Sequence, residues 1–125
     1  MLTPNRLCAD VGYVSLNHAG EQLCGDHVEM ATGQDAGATV IVLADGLGSG
    51  VKASILSTLT AKIISTMVAA GLRLEDCVET IAATLPVCST RGIAYSTFTI
   101  FRLVNNERAE IIQYDNPLVI LLRDG

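Results

Sequence analysis

The sequence has 125 residues, half of them apolar and only 17% charged, with a formal net charge of −5 at pH 7. That length suits one domain with a real core, and the acidic balance, with no clustered Lys or Arg, excludes a nucleic-acid surface built on phosphate contacts. No uninterrupted apolar run approaches the roughly 18 residues of a membrane span, and residues 1–6 lack the basic and apolar blocks of a secretory signal, so a cytoplasmic protein without a membrane span is expected. Four cysteines (Cys8, Cys24, Cys77 and Cys88) show no CxxC spacing, which argues against structural zinc and a thioredoxin-like motif. In a reducing compartment they are expected to be buried thiols.

Residues 6–17 alternate loosely between apolar and other positions, which predicts a strand. A turn at residues 18–21 leads to a second strand over residues 22–31, which contains Cys24-Gly25-Asp26-His27. Residues 32–37 are polar and glycine-bearing, the composition of a hairpin loop. A third strand over residues 38–44 then runs back beside the second, so that the ends carrying Asp26 and Asp45 come near each other. After Gly46, Gly48 and Gly50, residues Val51, Ile55, Leu59 and Ile63 recur every four positions, joined by Leu56, Ile64, Met67 and Val68. This is a long amphipathic helix expected to pack on the sheet, with Gly71 as its C-cap. Residues 74–85 repeat the pattern, with Glu75 and Asp76 suited to a helix N-terminus and Pro86 ending it. Residues 95–104 are rich in Thr, Phe and Ile and predict a strand. Asn105-Asn106 turns it into a hairpin with residues 109–114, and after the Asp115-Asn116-Pro117 turn a last strand is expected at 118–122. The order of strands, two helices and strands predicts an α+β fold with a mainly antiparallel sheet.

The stretch with most chemistry in it runs from Val40 to Ala53. An apolar strand delivers one carboxylate, Asp45, and then three glycines at alternate positions, which allow close approach of backbone to a ligand. A phosphate loop needs a glycine before Lys52 and a Ser or Thr after it, where this chain has Val51 and Ala53. The dinucleotide fingerprint fails at Val51, and no acidic residue ends a following strand. A metal site fits better. Asp26 and Asp45 are hard oxygen ligands suited to Mg²⁺ or Mn²⁺, and the carbonyl of Gly46 is open to a cation because no side chain crowds it. The plainer reading makes both aspartates turn carboxylates, and it suits Asp26 better than Asp45. His27 reads as a partly exposed strand histidine more readily than as a ligand. Ser49 and Lys52 serve equally well as an N-cap and a solvated charge or as phosphate contacts.

These residues also carry a family resemblance. Asp45-Gly46-Leu47-Gly48-Ser49-Gly50 followed by Lys52-Ala53 resembles the DGMGxG…A motif of the metal-dependent serine/threonine protein phosphatases of PP2C type. More narrowly, it is similar to the bacterial branch of stage II sporulation and sigma-B regulatory phosphatases. Leu23-Cys24-Gly25-Asp26 resembles the SGD motif of that branch, residues 95–100 its following strand, and Gln113-Tyr114-Asp115-Asn116-Pro117 its A-G-H-x-P segment. The resemblance runs from about Leu7 to Gly125 and implies a PP2C-like fold. It implies a two-metal site of Mn²⁺ or Mg²⁺ held by Asp26, Asp45 (bridging) and the Gly46 carbonyl. It also implies hydrolysis of phosphoserine or phosphothreonine by metal-activated water, with Asp26 and Asp45 as the catalytic carboxylates. A bacterial regulatory phosphoprotein, such as an anti-sigma factor antagonist, is the implied partner.

Members of that family continue through a TDG-type strand and a later D-D motif that complete the metal site. Nothing here matches them, so residues 1–125 are expected to be a single, truncated phosphatase domain, weak or inactive alone and prone to self-association through exposed sheet. A non-catalytic phosphoprotein-binding or regulatory module on the same fold is the alternative.

Overall fold

The computed structural model describes residues 7–16, 19–20, 24–33, 38–46, 50–84 and 96–125. Among these the chain forms β1 (Asp26–Thr32), β2 (Ala38–Gly46), α1 (Gly50–Ala69), α2 (Leu74–Thr84), β3 (Ser96–Val104) and β4 (Arg108–Tyr114). The four strands make one antiparallel sheet in the order β1-β2-β3-β4. The expected α+β layout with an antiparallel sheet is therefore observed.

Side chains alternate between the two faces of a strand, and one face of this sheet meets the helices. Val40, Val42 and Ala44 of β2 and Phe98 and Ile100 of β3 are buried there against Ala61, Ile64 and Val68 of α1 and Leu74, Cys77 and Ile81 of α2. The Phe98 ring stacks on that of its cross-strand partner Tyr114 with centroids 5.4 Å apart.

The inner side of α1 is the expected one in part: Leu56, Ile64 and Val68 are buried and Ile63 and Met67 pack against the core. Its buried residues are Ala53, Leu56, Ser57, Thr60, Ala61, Ile64, Ser65 and Val68, whereas Val51, Ile55 and Leu59 are exposed. Small side chains let the helix lie close to the strands, and the hydroxyls cost little because they bond within the helix. Thr60 Oγ1 donates to the Leu56 carbonyl at 2.7 Å, and Ser57 and Ser65 donate to carbonyls three residues back. By length and composition α1 could also cross a membrane, but here it is the core helix of the sheet. It ends in a Schellman motif: Gly71 has φ +93°, its N–H donates to Val68 and that of Leu72 to Met67.

Turn chemistry was legible at the β3–β4 hairpin, where Asn105 and Asn106 both have φ +54° and Glu107 N–H donates to the Val104 carbonyl. Two expected strands are absent. Residues 7–16 and 117–125 carry no strand, and Leu7, Tyr13, Leu16 and Leu118 are well exposed. Alternation alone cannot supply a hydrogen-bonding neighbour. Both edges of β3 are taken, and Asn116 draws the chain after β4 across the sheet rather than along its free edge. Cys77 is buried as expected, but Cys8 is exposed and Cys24 half-buried. The expectations for His18, residues 34–37, Leu47, Gly48, Ser49, Pro86, Cys88 and Tyr95 lie outside the described residues.

The core and cap separate two kinds of stabilisation. Phe98→Ala removes a buried ring and is expected to cost about 3–5 kcal/mol in denaturant melts. Gly71→Ala meets nothing within 4 Å, so its expected cost of about 1–2 kcal/mol comes from the left-handed backbone alone.

Candidate metal centre

The face turned away from the helices is organised in cross-strand rows. Asp26, Asp45 and Thr97 form the first; Val28, Leu43, Thr99 and Gln113 the second; Met30, Ile41, Phe101 and Ile111 the third. The first row of this open face is thus polar, the second mixed and the third apolar. A groove of 660 Å³ runs over the apolar part between residues 9–13 and Ile120.

Asp26 and Asp45 are direct partners in the β1–β2 register, one at the start of β1 and the other near the end of β2. Like charges opposite each other on one face repel. Partial burial of the Asp45 carboxyl raises its pKa to about 6, and the hydrogen bond to Asp26 and the charge of Asp26 add to the rise. Two carboxylates held side by side at the sheet's rim form an oxygen donor set that a hard divalent cation relieves.

Gly46 follows directly and is buried. Its N–H donates to the Gly25 carbonyl at 2.8 Å, tying the two aspartate-bearing segments together. A Cβ placed on Gly46 would stand 2.1 Å from the Ala53 carbonyl oxygen and 2.8 Å from that of Gly25. The glycine is therefore required by the approach of α1 to the strand ends, a different reason from the uncrowded carbonyl expected from the sequence. Lys52 lies in the first turn of α1.

His27 lies on the opposite face from Asp26, opposite Ala44. Its Nε2 is 2.8 Å from Glu29 Oε2, and Lys62 Nζ donates to Glu29 Oε1 at 2.6 Å. Lys62 first and His27 second hold the Glu29 carboxyl below its usual range. This trio ties β1 to α1 and does not join the aspartates.

Two polar residues beside the aspartates were assigned no role from sequence: Thr97, the cross-strand neighbour of Asp45, and Asn116, which bonds to it. Among the described residues no group of three or more His, Cys, Asp or Glu side chains comes together. The donor set fits Mg²⁺ or Mn²⁺ as a partial site: Asp26, Asp45 and the Gly46 carbonyl would hold the cation, with water filling its remaining positions.

The family model for Stage II sporulation protein E (SpoIIE) matches residues 35–125. No curated protein is significantly similar in sequence. Among solved structures the chain is similar to RsbX in complex with magnesium, with a TM-score of 0.59 and 24% identity over 76% of this chain and 43% of that one. It is also similar to the structure of the PP2C phosphatase domain and a fragment of the regulatory domain of the cell fate determinant SpoIIE from Bacillus subtilis. There the TM-score is 0.64 and the identity 20%, over 82% of this chain and 36% of that one. These likenesses establish the fold, and the chain spans less than half the length of either structure.

The carboxylate pair gives a signed pH dependence. Because the folded-state pKa of Asp45 lies above its ordinary value of 3.8, the metal-free fold holds an extra proton between roughly pH 4 and 6 and loses stability as pH rises through that window. With allowance for solvent screening the effect is about 1 kcal/mol. Melts at pH 4.5 and pH 7 are expected to show it, and Asp45→Asn to flatten the difference. Gly46→Ala is expected to cost more than the usual overpacking range of about 1–3 kcal/mol, read in the same melts, because backbone atoms on both sides must shift.

Proposed function

This chain belongs to the Stage II sporulation protein E family, and from that premise we propose that it is the part of a metal-dependent protein serine/threonine phosphatase that carries the Asp26–Asp45 side of the metal centre. The observation that carries the reading is the cross-strand pairing of these aspartates at the glycine end of β2, on the open face. In this reading Asp26, Asp45 and the Gly46 carbonyl hold Mn²⁺ or Mg²⁺. When bound, such a cation supplies charge that activates water and neutralises the oxygens of a phosphoryl group. Asp26 and Asp45 accept no proton from substrate in this scheme; their work is to bind as a charged pair, which requires Asp45 to be ionised.

The substrate is a phosphoserine or phosphothreonine protein in the cytoplasm, and a small bacterial regulatory protein such as an anti-sigma factor antagonist suits the family. With two carboxylates at the candidate site among the described residues, the chain holds its cation weakly, and hydrolysis by the 125-residue chain is slow. That same thin donor set favours one second reading, a phosphoprotein-binding module on this fold that does no hydrolysis. Exposed Met30, Leu43 and Ile111 on the open face make self-association expected, with sedimentation velocity as its check.

Phosphate release from a phosphoserine protein tests the catalytic reading. The expected outcome is Mn²⁺-dependent release that is abolished by chelation and falls at least about tenfold in Asp45→Asn and Asp26→Asn. Binding of the phosphoprotein with no metal-dependent release from wild type would favour the binding module.

A further inference from the structure

The turn after β4 reaches the candidate metal centre through one side chain. Asn116 Nδ2 donates to the Leu43 carbonyl at 3.2 Å and to Thr99 Oγ1 at 3.0 Å, and its Oδ1 accepts from Thr97 Oγ1 at 2.6 Å. The amide orientation follows from chemistry, because the Leu43 carbonyl can only accept. The side chain therefore uses both ends of its amide on three partners in β2 and β3. Leu43 lies two residues before Asp45, on the same face of the same strand, and Thr97 is the residue directly opposite Asp45.

The turn itself is built to present this side chain. Asp115 has φ +54°, a left-handed conformation that aspartate tolerates, and Gln113 Nε2 donates to the Pro117 carbonyl at 2.7 Å, closing the turn from its other side. Thr97 gives its one proton to Asn116, which leaves only oxygen lone pairs on the hydroxyl of the residue paired with Asp45 in the β2–β3 register. A hydroxyl free to rotate would present a proton to that carboxylate and compete with a cation for it. Held by Asn116, it would present an acceptor rather than a proton toward a cation on Asp45.

We propose that Asn116 is a positioning residue for the metal centre, acting through Thr97 and the Leu43 backbone to fix the Asp45 end of β2 and to keep the Thr97 hydroxyl turned away from the carboxylate. This rests on the reading of Asp26 and Asp45 as cation ligands. Asn116 itself touches neither cation nor substrate.

The test is Mn²⁺ affinity measured calorimetrically on the 125-residue chain at pH 7, beside melting curves without metal. Asn116→Ala is expected to raise the Kd about tenfold, the usual scale for losing a residue that orients a ligand. Thr97→Val, which keeps the side-chain volume, should do the same, Thr97→Ser should restore wild-type affinity, and the double variant Asn116→Ala/Thr97→Val should be no worse than either single one, since both remove one linkage. Should Asn116→Ala not fold, Thr97→Val against Thr97→Ser decides. Wild-type Kd in both Asn116→Ala and Thr97→Val, or additive losses in the double variant, would overturn the role of Asn116 while leaving the cation site standing. A wild-type chain that binds no Mn²⁺ overturns both.

Discussion

The antiparallel register between β1 and β2 is the constraint on which the rest of the structure depends. With Asp26 opposite Asp45, two carboxylates share one spot at the rim of a sheet, and burial first and Asp26 second raise the pKa of Asp45. A slip of one residue would send Asp26 to the helix face and put His27 beside Asp45. The register is held from both faces. On the helix side Val42 and Ala44 lie in the core, and Glu29 links β1 to Lys62 of α1. At the rim, the Gly46 N–H closes onto Gly25. The carboxylate pair is thus held in place by packing and backbone bonds elsewhere in the fold.

The close seating of α1 serves the same end. Gly46 admits no side chain because the first turn of the helix lies against it, and the buried side of α1 is made of alanines, serines and threonines as much as of larger apolar groups. Small residues fix the distance between helix and strand ends. The larger Val51, Ile55 and Leu59, which repeat most regularly, face outward.

The outward turn of these three residues shows what the sequence could and could not reveal. The strands expected at 22–31 and 38–44 (observed at 26–32 and 38–46), both helices, the Gly71 cap and the Asn105-Asn106 hairpin were legible because each depends on local chemistry: alternation, a left-handed position, a run of β-branched residues. Leu56, Ile64 and Val68 of α1 were read correctly as inward, but Val51, Ile55 and Leu59 were not, because spacing locates an apolar stripe without saying which neighbour it meets. Residues 7–16 and 118–122 have strand-like composition, but a strand exists only with a partner. The aspartate pair was anticipated from the order of strands, and alternation along β1 already sets His27 on the other face from Asp26. Thr97 and Asn116 were not assigned roles, since their significance lies in hydrogen bonds spanning 19 residues of chain.

The two faces of the sheet divide the labour. One is spent on the helices and supplies stability; the other carries charge at one end and an apolar row further along. The central claim is that the charged end is a cation site, and paramagnetic Mn²⁺ tests it most directly. In amide spectra of the chain titrated with Mn²⁺, broadening should begin at Asp26, Asp45, Gly46 and Thr97 and reach Met30 and Ile111 only later. Broadening that starts elsewhere, at Glu29 or Glu110 for example, or none at all, would contradict it.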